Sequence, residues 1–195
     1  MEKEELRKNL RERRNQLLQK EEKSHCITNH VVSSLVFQNA STVMLYRSTK
    51  GEADTGELWE QCQKMGKTCL FPKCVSKTEM IAVLATGEND FSVSKFGILE
   101  PISNEMFPKD KIDLVIVPAV GFDQKNYRVG YGGGFYDRYL ADYVGNTMGL
   151  CFSELITETV FPNEWDIPVM FVATEEGLHP KENEEISCKM KFGLV

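Results

Sequence analysis

Two hydrophobic spacings alternate along the chain. Residues 2 to 20 place Leu6, Leu10 and Leu17 on one narrow stripe at helical spacing, with Lys3, Arg7, Arg11 and Arg14 on a second stripe beside it. Residues 22 to 37 continue as a second predicted helix with Ile27, Val31, Leu35 and Val36 inward. A short strand follows at Thr42 to Tyr46, then a helix over about 56 to 65 with Leu58 and Trp59 on its apolar side. Further strands are predicted at Thr68 to Phe71, ending in Pro72, and at Met80 to Leu84, Asp113 to Val117, Thr147 to Phe152 and Val169 to Thr174. Between the last three, Phe135, Tyr139, Leu140 and Tyr143 recur at helical spacing. Residues 86 to 111 have no period and hold Phe91, Phe96, Gly97 and Phe107, so they are predicted to be irregular and able to wall a pocket for a flat ring. Helices alternating with short apolar strands predict a three-layer α/β/α domain with a mostly parallel central sheet over residues 1 to 178. A polar Lys/Glu-rich tail over 179 to 195 completes the chain.

The run Leu114-Val115-Ile116-Val117 feeds the stretch Pro118 to Arg138, PAVGFDQKNYRVGYGGGFYDR. Gly130, Gly132, Gly133 and Gly134 let the backbone approach a ligand closely, and the segment opens a predicted helix where unpaired amides favour an anion. Arg128 stands just before the glycines. Phe135 follows the last glycine where a P-loop has Lys and then Ser or Thr, and the spacing does not fit a dinucleotide fingerprint. The bland alternative, a flexible surface loop, leaves Arg128, Tyr136, Asp137 and Arg138 around the glycines without a purpose.

The charge balance narrows the ligand. A net charge of -6 argues against nucleic acid and membrane surfaces as partners, while a local basic cluster can still hold a small anion. The N-terminus is charged and lacks the apolar segment of a signal peptide, and no run reaches the roughly 20 apolar residues of a membrane span. Six cysteines without a CxxC pair therefore read as reduced thiols of a cytoplasmic protein. His25, His30 and His179 have no zinc spacing and no nucleophile beside them.

Ligands in open α/β sheets bind beyond the carboxyl ends of the strands. The loop after Tyr46, Arg47 to Thr55, would bring Glu52 and Asp54 there, although Asp54 or Thr55 could simply cap the next helix. The loop after Val117 would bring the glycines, Arg128 and Asp137. One cleft then has a phosphate side and an acidic side. Lys3, Arg7 and Arg128 can neutralise a polyphosphate, and Asp137 with Asp166 can hold Mg²⁺. Phosphoryl transfer needs alignment and charge stabilisation more than a protein nucleophile. The residues thus point to a Mg²⁺-dependent, nucleotide-using enzyme acting on a small molecule.

The segments Pro118 to Asp123 and Arg128-Val129-Gly130-Tyr131-Gly132-Gly133-Gly134-Phe135-Tyr136-Asp137-Arg138 resemble the signature of the 5-formyltetrahydrofolate cyclo-ligase family, also called 5,10-methenyltetrahydrofolate synthetases. Lys3-Glu4-Glu5-Leu6-Arg7 resembles that family's Lys-x-x-x-Arg start, Glu52-Ala53-Asp54-Thr55 its acidic loop, and Gly97 to Pro101 and Asp166 fall in its order. The resemblance covers about residues 2 to 175 and implies a Rossmann-like fold of the sugar-phosphate isomerase and CoA-transferase kind. It also implies an ATP- and Mg²⁺-dependent ring closure of 5-formyltetrahydrofolate, a one-carbon folate reaction, by a monomer. It gives ATP to Lys3, Arg7, Arg128, Gly130, Tyr131, Gly132, Gly133, Gly134, Phe135 and Tyr136, with Arg128 and Tyr136 at the reacting centre. It gives Mg²⁺ to Asp137 and Asp166, and folate to Thr49, Glu52, Asp54 and Phe96. Two positions depart from the family: Phe135 stands where Tyr is common, and Trp165 precedes Asp166 in place of a smaller or polar residue. The competing readings are another enzyme on a similar fold acting on a phosphosugar or CoA without ATP, and a module that binds nucleotide or folate without turnover.

Overall fold

The structure is a computed structural model that describes residues 2–94 and 97–180. Phe96 and the tail from 181 onward, Cys188 included, lie outside the described residues. The helices are α1 (Glu2–Gln16), α2 (Lys20–Ser33), α3 (Leu35–Asn39), α4 (Gly56–Lys64) and α5 (Phe135–Leu140). The strands are β1 (Thr42–Met44), β2 (Thr68–Cys74), β3 (Met80–Leu84), β4 (Phe91–Val93), β5 (Leu99–Pro101), β6 (Leu114–Val117), β7 (Gly121–Asp123), β8 (Arg128–Val129), β9 (Asn146–Leu150), β10 (Ile156–Thr157), β11 (Phe171–Thr174) and β12 (Gly177–Pro180).

Seven strands form the main sheet in the order β12-β11-β9-β6-β1-β2-β3. The five inner strands are parallel, and the edge strands β12 and β3 are antiparallel to their neighbours. All four residues of β6 are buried, the continuous apolar pattern expected of a parallel strand covered on both faces. From β1 the chain moves one way across the sheet to β2; from β6 it moves the other way to β9 and then β11. Right-handed crossovers in opposite directions put their connections on opposite faces. Helix α4 packs against β2 with α2 beside it, α2 also packs against β11, and α5 touches β3. The expected α/β class with a mostly parallel sheet is the one observed. The order reverses between β1 and β6, which fixes a switch-point crevice between the loops that follow these two strands.

Local departures from the sequence pattern have local causes. The first helix stops at Gln16, and the chain turns through Gln19 in a left-handed conformation with Leu18 exposed. The second breaks at Ser34, whose hydroxyl accepts the Phe37 N–H and starts α3; Leu35, expected inward, is exposed. Strand β2 runs on through Pro72 to Cys74. Beyond Leu70 it pairs only with β3, so the missing Pro72 N–H lies where no β1 carbonyl needs it. Residues 86 to 111 contain the β4–β5 hairpin. Lys73 donates to the carbonyls of Ile102 and Ser103 at 2.7 and 2.8 Å and ties that segment to β2. His179 and Pro180, where the polar tail was expected to begin, form the end of β12.

The stretch after β6 is more ordered than a long glycine loop. It contains the hairpin β7–β8, which joins β10 in a separate three-stranded sheet. Asp123 fixes the hairpin turn by accepting the N–H groups of Lys125 and Tyr127, each at 3.0 Å, while Asn126 adopts a left-handed φ of 63°. Its other oxygen accepts the Val160 N–H at 3.1 Å. Phe122, fully buried, lies over Gly149 of β9, where an added Cβ would come within 2.1 Å of the Phe122 ring. The hairpin carrying Arg128 is therefore seated directly on the central sheet.

Candidate active site

Helix α1 closes the glycine loop from outside. Its buried Leu10 anchors it; truncating such a fully buried leucine costs about 2–5 kcal/mol. Arg7 donates from Nε to the Gly130 carbonyl at 2.8 Å, and one turn earlier Lys3 forms an ion pair with Asp166. The basic stripe read beside the leucines is thus turned toward the switch-point crevice.

Arg128 leaves β8 with only 5% exposure and donates to Asp137 Oδ1 and to the Ile167 carbonyl, both at 2.6 Å. Burial lowers the pKa of its guanidinium, an effect opposed by the charge of Asp137, then Tyr136 and Asp166. Asp137 Oδ1 also accepts the Ile167 N–H at 3.1 Å, and Asp166 Oδ2 accepts the Asn163 N–H at 2.7 Å. The opposite oxygens, Asp137 Oδ2 and Asp166 Oδ1, have no hydrogen-bond partner among the described residues. Asp137 and Arg128 both bond Ile167, the residue after Asp166, so the structure brings the two aspartates near one another.

The loop Gly130 to Gly134 is pinned from three sides. Arg7 holds Gly130, Arg14 donates to the Tyr131 hydroxyl at 2.7 Å, and Arg138 donates to the carbonyls of Gly133 and Thr78 at 2.6 and 2.7 Å. Gly132 and Gly134 have φ of 95° and 63°, which a side chain would strain. Among the described residues the amides of Gly130 to Gly134 donate no hydrogen bond. Helix α5 is only six residues long, so its dipole is small; what suits the loop to an anion is its free amides and the nearby cations. Phe135 folds back over Gly133 with Arg138 against its ring, on the side of the loop facing Thr78.

Across the crevice, Glu52 Oε1 accepts the Tyr131 hydroxyl at 2.5 Å, while its other oxygen accepts the Thr49 N–H and hydroxyl at 2.6 and 2.8 Å. Asp54 accepts the Ser48 hydroxyl at 2.5 Å. Neither Asp54 nor Thr55 caps α4 through its side chain: Thr55 donates instead to the Tyr46 carbonyl at 2.6 Å. The hydroxyl of Tyr136 is buried without a partner. Burial first, then Glu52, pushes it well above the ordinary tyrosine range, with Arg128 opposing. It lies within the fields of the acidic loop and of Arg128 at once.

Of the residues singled out in the sequence, Lys3, Arg7, Arg128, Gly130, Tyr131, Tyr136, Asp137, Asp166, Glu52 and Thr49 are linked by these contacts. The Asp54 carboxylate is bound only by Ser48 of its own loop, while its N–H donates to the Ser24 hydroxyl of α2 at 3.0 Å. Arg138 and Arg47 received no role in that reading. Arg47 forms a two-pronged ion pair with Glu88 at 2.9 and 3.0 Å and lies over the rings of Trp59 and Phe91. No single sequence pattern marks these arginines, because Arg47 pairs with the distant Glu88 and Arg138 also reaches the distant Thr78 carbonyl. Among the described residues no group of three or more His, Cys, Asp or Glu could hold a metal, the five cysteines are free thiols, and no helix is long and apolar enough to cross a membrane.

A doubly wound α/β sheet with a cation-pinned glycine loop at its switch point is the class of protein that this geometry defines. The model of the 5-formyltetrahydrofolate cyclo-ligase family matches residues 1–175, and the chain belongs to that family. It is 29% identical over 161 residues to the 5-formyltetrahydrofolate cyclo-ligase of Haemophilus influenzae, spanning 78% of this chain and 85% of that one. Among solved structures, the 5,10-methenyltetrahydrofolate synthetase of Aquifex aeolicus matches with a TM-score of 0.82 and 32% identity, covering 93% of this chain and 94% of the other. The 5,10-methenyltetrahydrofolate synthetase of Mycoplasma pneumoniae matches with a TM-score of 0.74 and 25% identity, covering 90% and 99%.

Proposed function

We propose that this chain is an ATP-dependent 5-formyltetrahydrofolate cyclo-ligase that forms 5,10-methenyltetrahydrofolate, ADP and phosphate. The observation that carries the reading is a glycine loop held by Arg7, flanked by Arg128 on Asp137 and Lys3 on Asp166, whose far side meets Glu52 through Tyr131. The cations suit a triphosphate, and the carboxylates of Glu52 and Asp54 suit the N–H donors of a pterin. Phe96, as a wall for the folate ring, remains part of the proposal from the sequence alone.

In the proposed reaction the formyl oxygen attacks the ATP γ-phosphorus and ADP leaves. The phosphorylated imidate has an electrophilic carbon and, in phosphate, a good leaving group. The neighbouring folate amine attacks that carbon and loses its proton, the five-membered ring closes, and phosphate departs. Arg128 and Lys3 balance the charge of the transferring group, and Arg7 with the loop amides aligns the triphosphate. Tyr136 is protonated at neutral pH like any tyrosine, burial raises its pKa further, and its unpartnered hydroxyl can donate to an oxygen at the reacting centre. Asp137 and Asp166, each of which leaves one carboxylate oxygen without a described partner, would hold Mg²⁺, and the ion would offset phosphate charge. The chain acts as a cytoplasmic monomer in this reading.

The test is absorbance at the methenyl-folate band with purified protein, 5-formyltetrahydrofolate and Mg²⁺, with and without ATP. An ATP-dependent rise that Asp137→Ala reduces at least about 100-fold is expected, the size typical of a lost electrostatic or positioning group. A folded protein that binds both ligands but gives no rise would refute the catalytic reading and leave a binding module.

A further inference from the structure

Arg14 is a charged side chain with 7% exposure and no carboxylate in ion-pair contact among the described residues. Burying such a charge is costly unless it is well hydrogen-bonded. Its Nη1 donates to the Tyr131 hydroxyl at 2.7 Å, and its guanidinium lies 5.6 Å from the Tyr131 ring centre, with Arg11 at 5.4 Å. Its Nε has no partner. The side chain also packs on Gly51, where an added Cβ would stand 3.3 Å from Nε and where φ is 95°. One residue of α1 thus touches the glycine loop through Tyr131 and the acidic loop through Gly51. Tyr131 completes the bridge by donating to Glu52 at 2.5 Å.

We propose that Arg14 is a positioning residue: with Tyr131 it latches the glycine loop to the acidic loop, so that nucleotide binding on one strengthens folate binding on the other. This rests on the reading that ATP occupies the glycine loop and folate the acidic loop. The Tyr131 side chain is half-exposed, so hydrogen bonds and the two arginines, rather than burial, hold it. A nucleotide that orders the loop holds Tyr131 against Glu52 and pre-forms the folate side. A folate that engages Glu52 holds Tyr131 and the glycine loop in return. Linkage requires the two effects to be equal.

The experiment measures the dissociation constant of 5-formyltetrahydrofolate for the full chain with and without a saturating non-hydrolysable ATP analogue, in wild type, Arg14→Met and Tyr131→Phe. The analogue is expected to tighten folate binding about fivefold or more in wild type and less than about twofold in either variant. The analogue's own affinity should respond to folate by the same factors. Tyr131→Phe keeps the ring between the arginines and removes only the hydroxyl, so it tests the latch even if Arg14→Met does not fold. Undiminished coupling in folded Tyr131→Phe, or no coupling in wild type that binds both ligands, would overturn the latch. Wild type that binds neither ligand would overturn the functional reading itself.

Discussion

Replacing Arg128 by methionine would strand Asp137. The methionine fills most of the space of the arginine stem, so the loss is chiefly electrostatic. The guanidinium gives up two bonds of 2.6 Å, to Asp137 and to the Ile167 carbonyl. Asp137, its side chain 23% exposed, keeps only the Ile167 N–H at 3.1 Å. Breaking a buried ion pair from one side costs about 3–5 kcal/mol, and the partial exposure of Asp137 places this case near about 3 kcal/mol. Asp137→Asn preserves an acceptor and is expected to cost about 1–2 kcal/mol, since Arg128 then stays buried with the carbonyl alone. The double variant strands neither charge and should be more stable than the sum of the single losses by about 1–2 kcal/mol. Urea unfolding with unchanged slope gives these values, and the methenyl-folate assay on the same samples separates the two roles. Stability should partly recover in the double variant while turnover stays low. Single losses that add within about 0.5 kcal/mol, or near-normal turnover in Arg128→Met, would refute the reasoning.

Two further outcomes follow from contacts outside the crevice. Burial alone would raise the Glu175 pKa, but Lys23 at 2.9 Å and the Ser153 N–H and hydroxyl at 2.9 and 3.0 Å hold it below its ordinary 4.5. Its stabilisation is therefore present above pH 4.5 and lost as pH falls through the lowered folded value, so Glu175→Gln should destabilise the protein at pH 7 and flatten the stability curve on the acid side; equal losses at pH 7 and pH 3 would contradict this. Gly149→Ala should cost at least about 1–3 kcal/mol, because the new methyl would meet the Phe122 ring at 2.1 Å, and Phe122→Leu in the same chain should restore part of that loss in a thermal melt.

The legible parts of the fold were those written in one continuous segment. The β6 run, buried at every position, and the alternation of helical and extended spacings gave the parallel sheet and its inner strands. The hairpin β7–β8 was hidden inside a glycine-rich stretch because its register depends on Asp123 bonding its own turn and the distant Val160 amide. The break at Ser34 escaped the periodicity because Leu35 and Val36 continue an apolar pattern that solvent, not the core, receives at Leu35. Pro72 pointed to a strand end by its missing N–H, yet β1 has already stopped pairing at Leu70, so tertiary context removed the penalty.

The site divides in the same way. The glycines, Arg128 and Asp137 lie within a few residues of one another, and local spacing is enough to suggest an anion site. The bases that complete it sit far away in sequence: Arg7 is 123 residues from Gly130, Arg14 is 117 from Tyr131, and Lys3 is 163 from Asp166. A basic stripe beside a leucine stripe is compatible with a solvated face, and nothing on it distinguishes the buried Arg14 from the exposed Arg11. The distinction arises only when α1 docks through Leu10 across the switch point. The residues that α1 contributes are thus cations whose value depends on the sheet order: β1 beside β6 puts both loops under the helix, and any topology separating those strands would leave the same arginines in solvent.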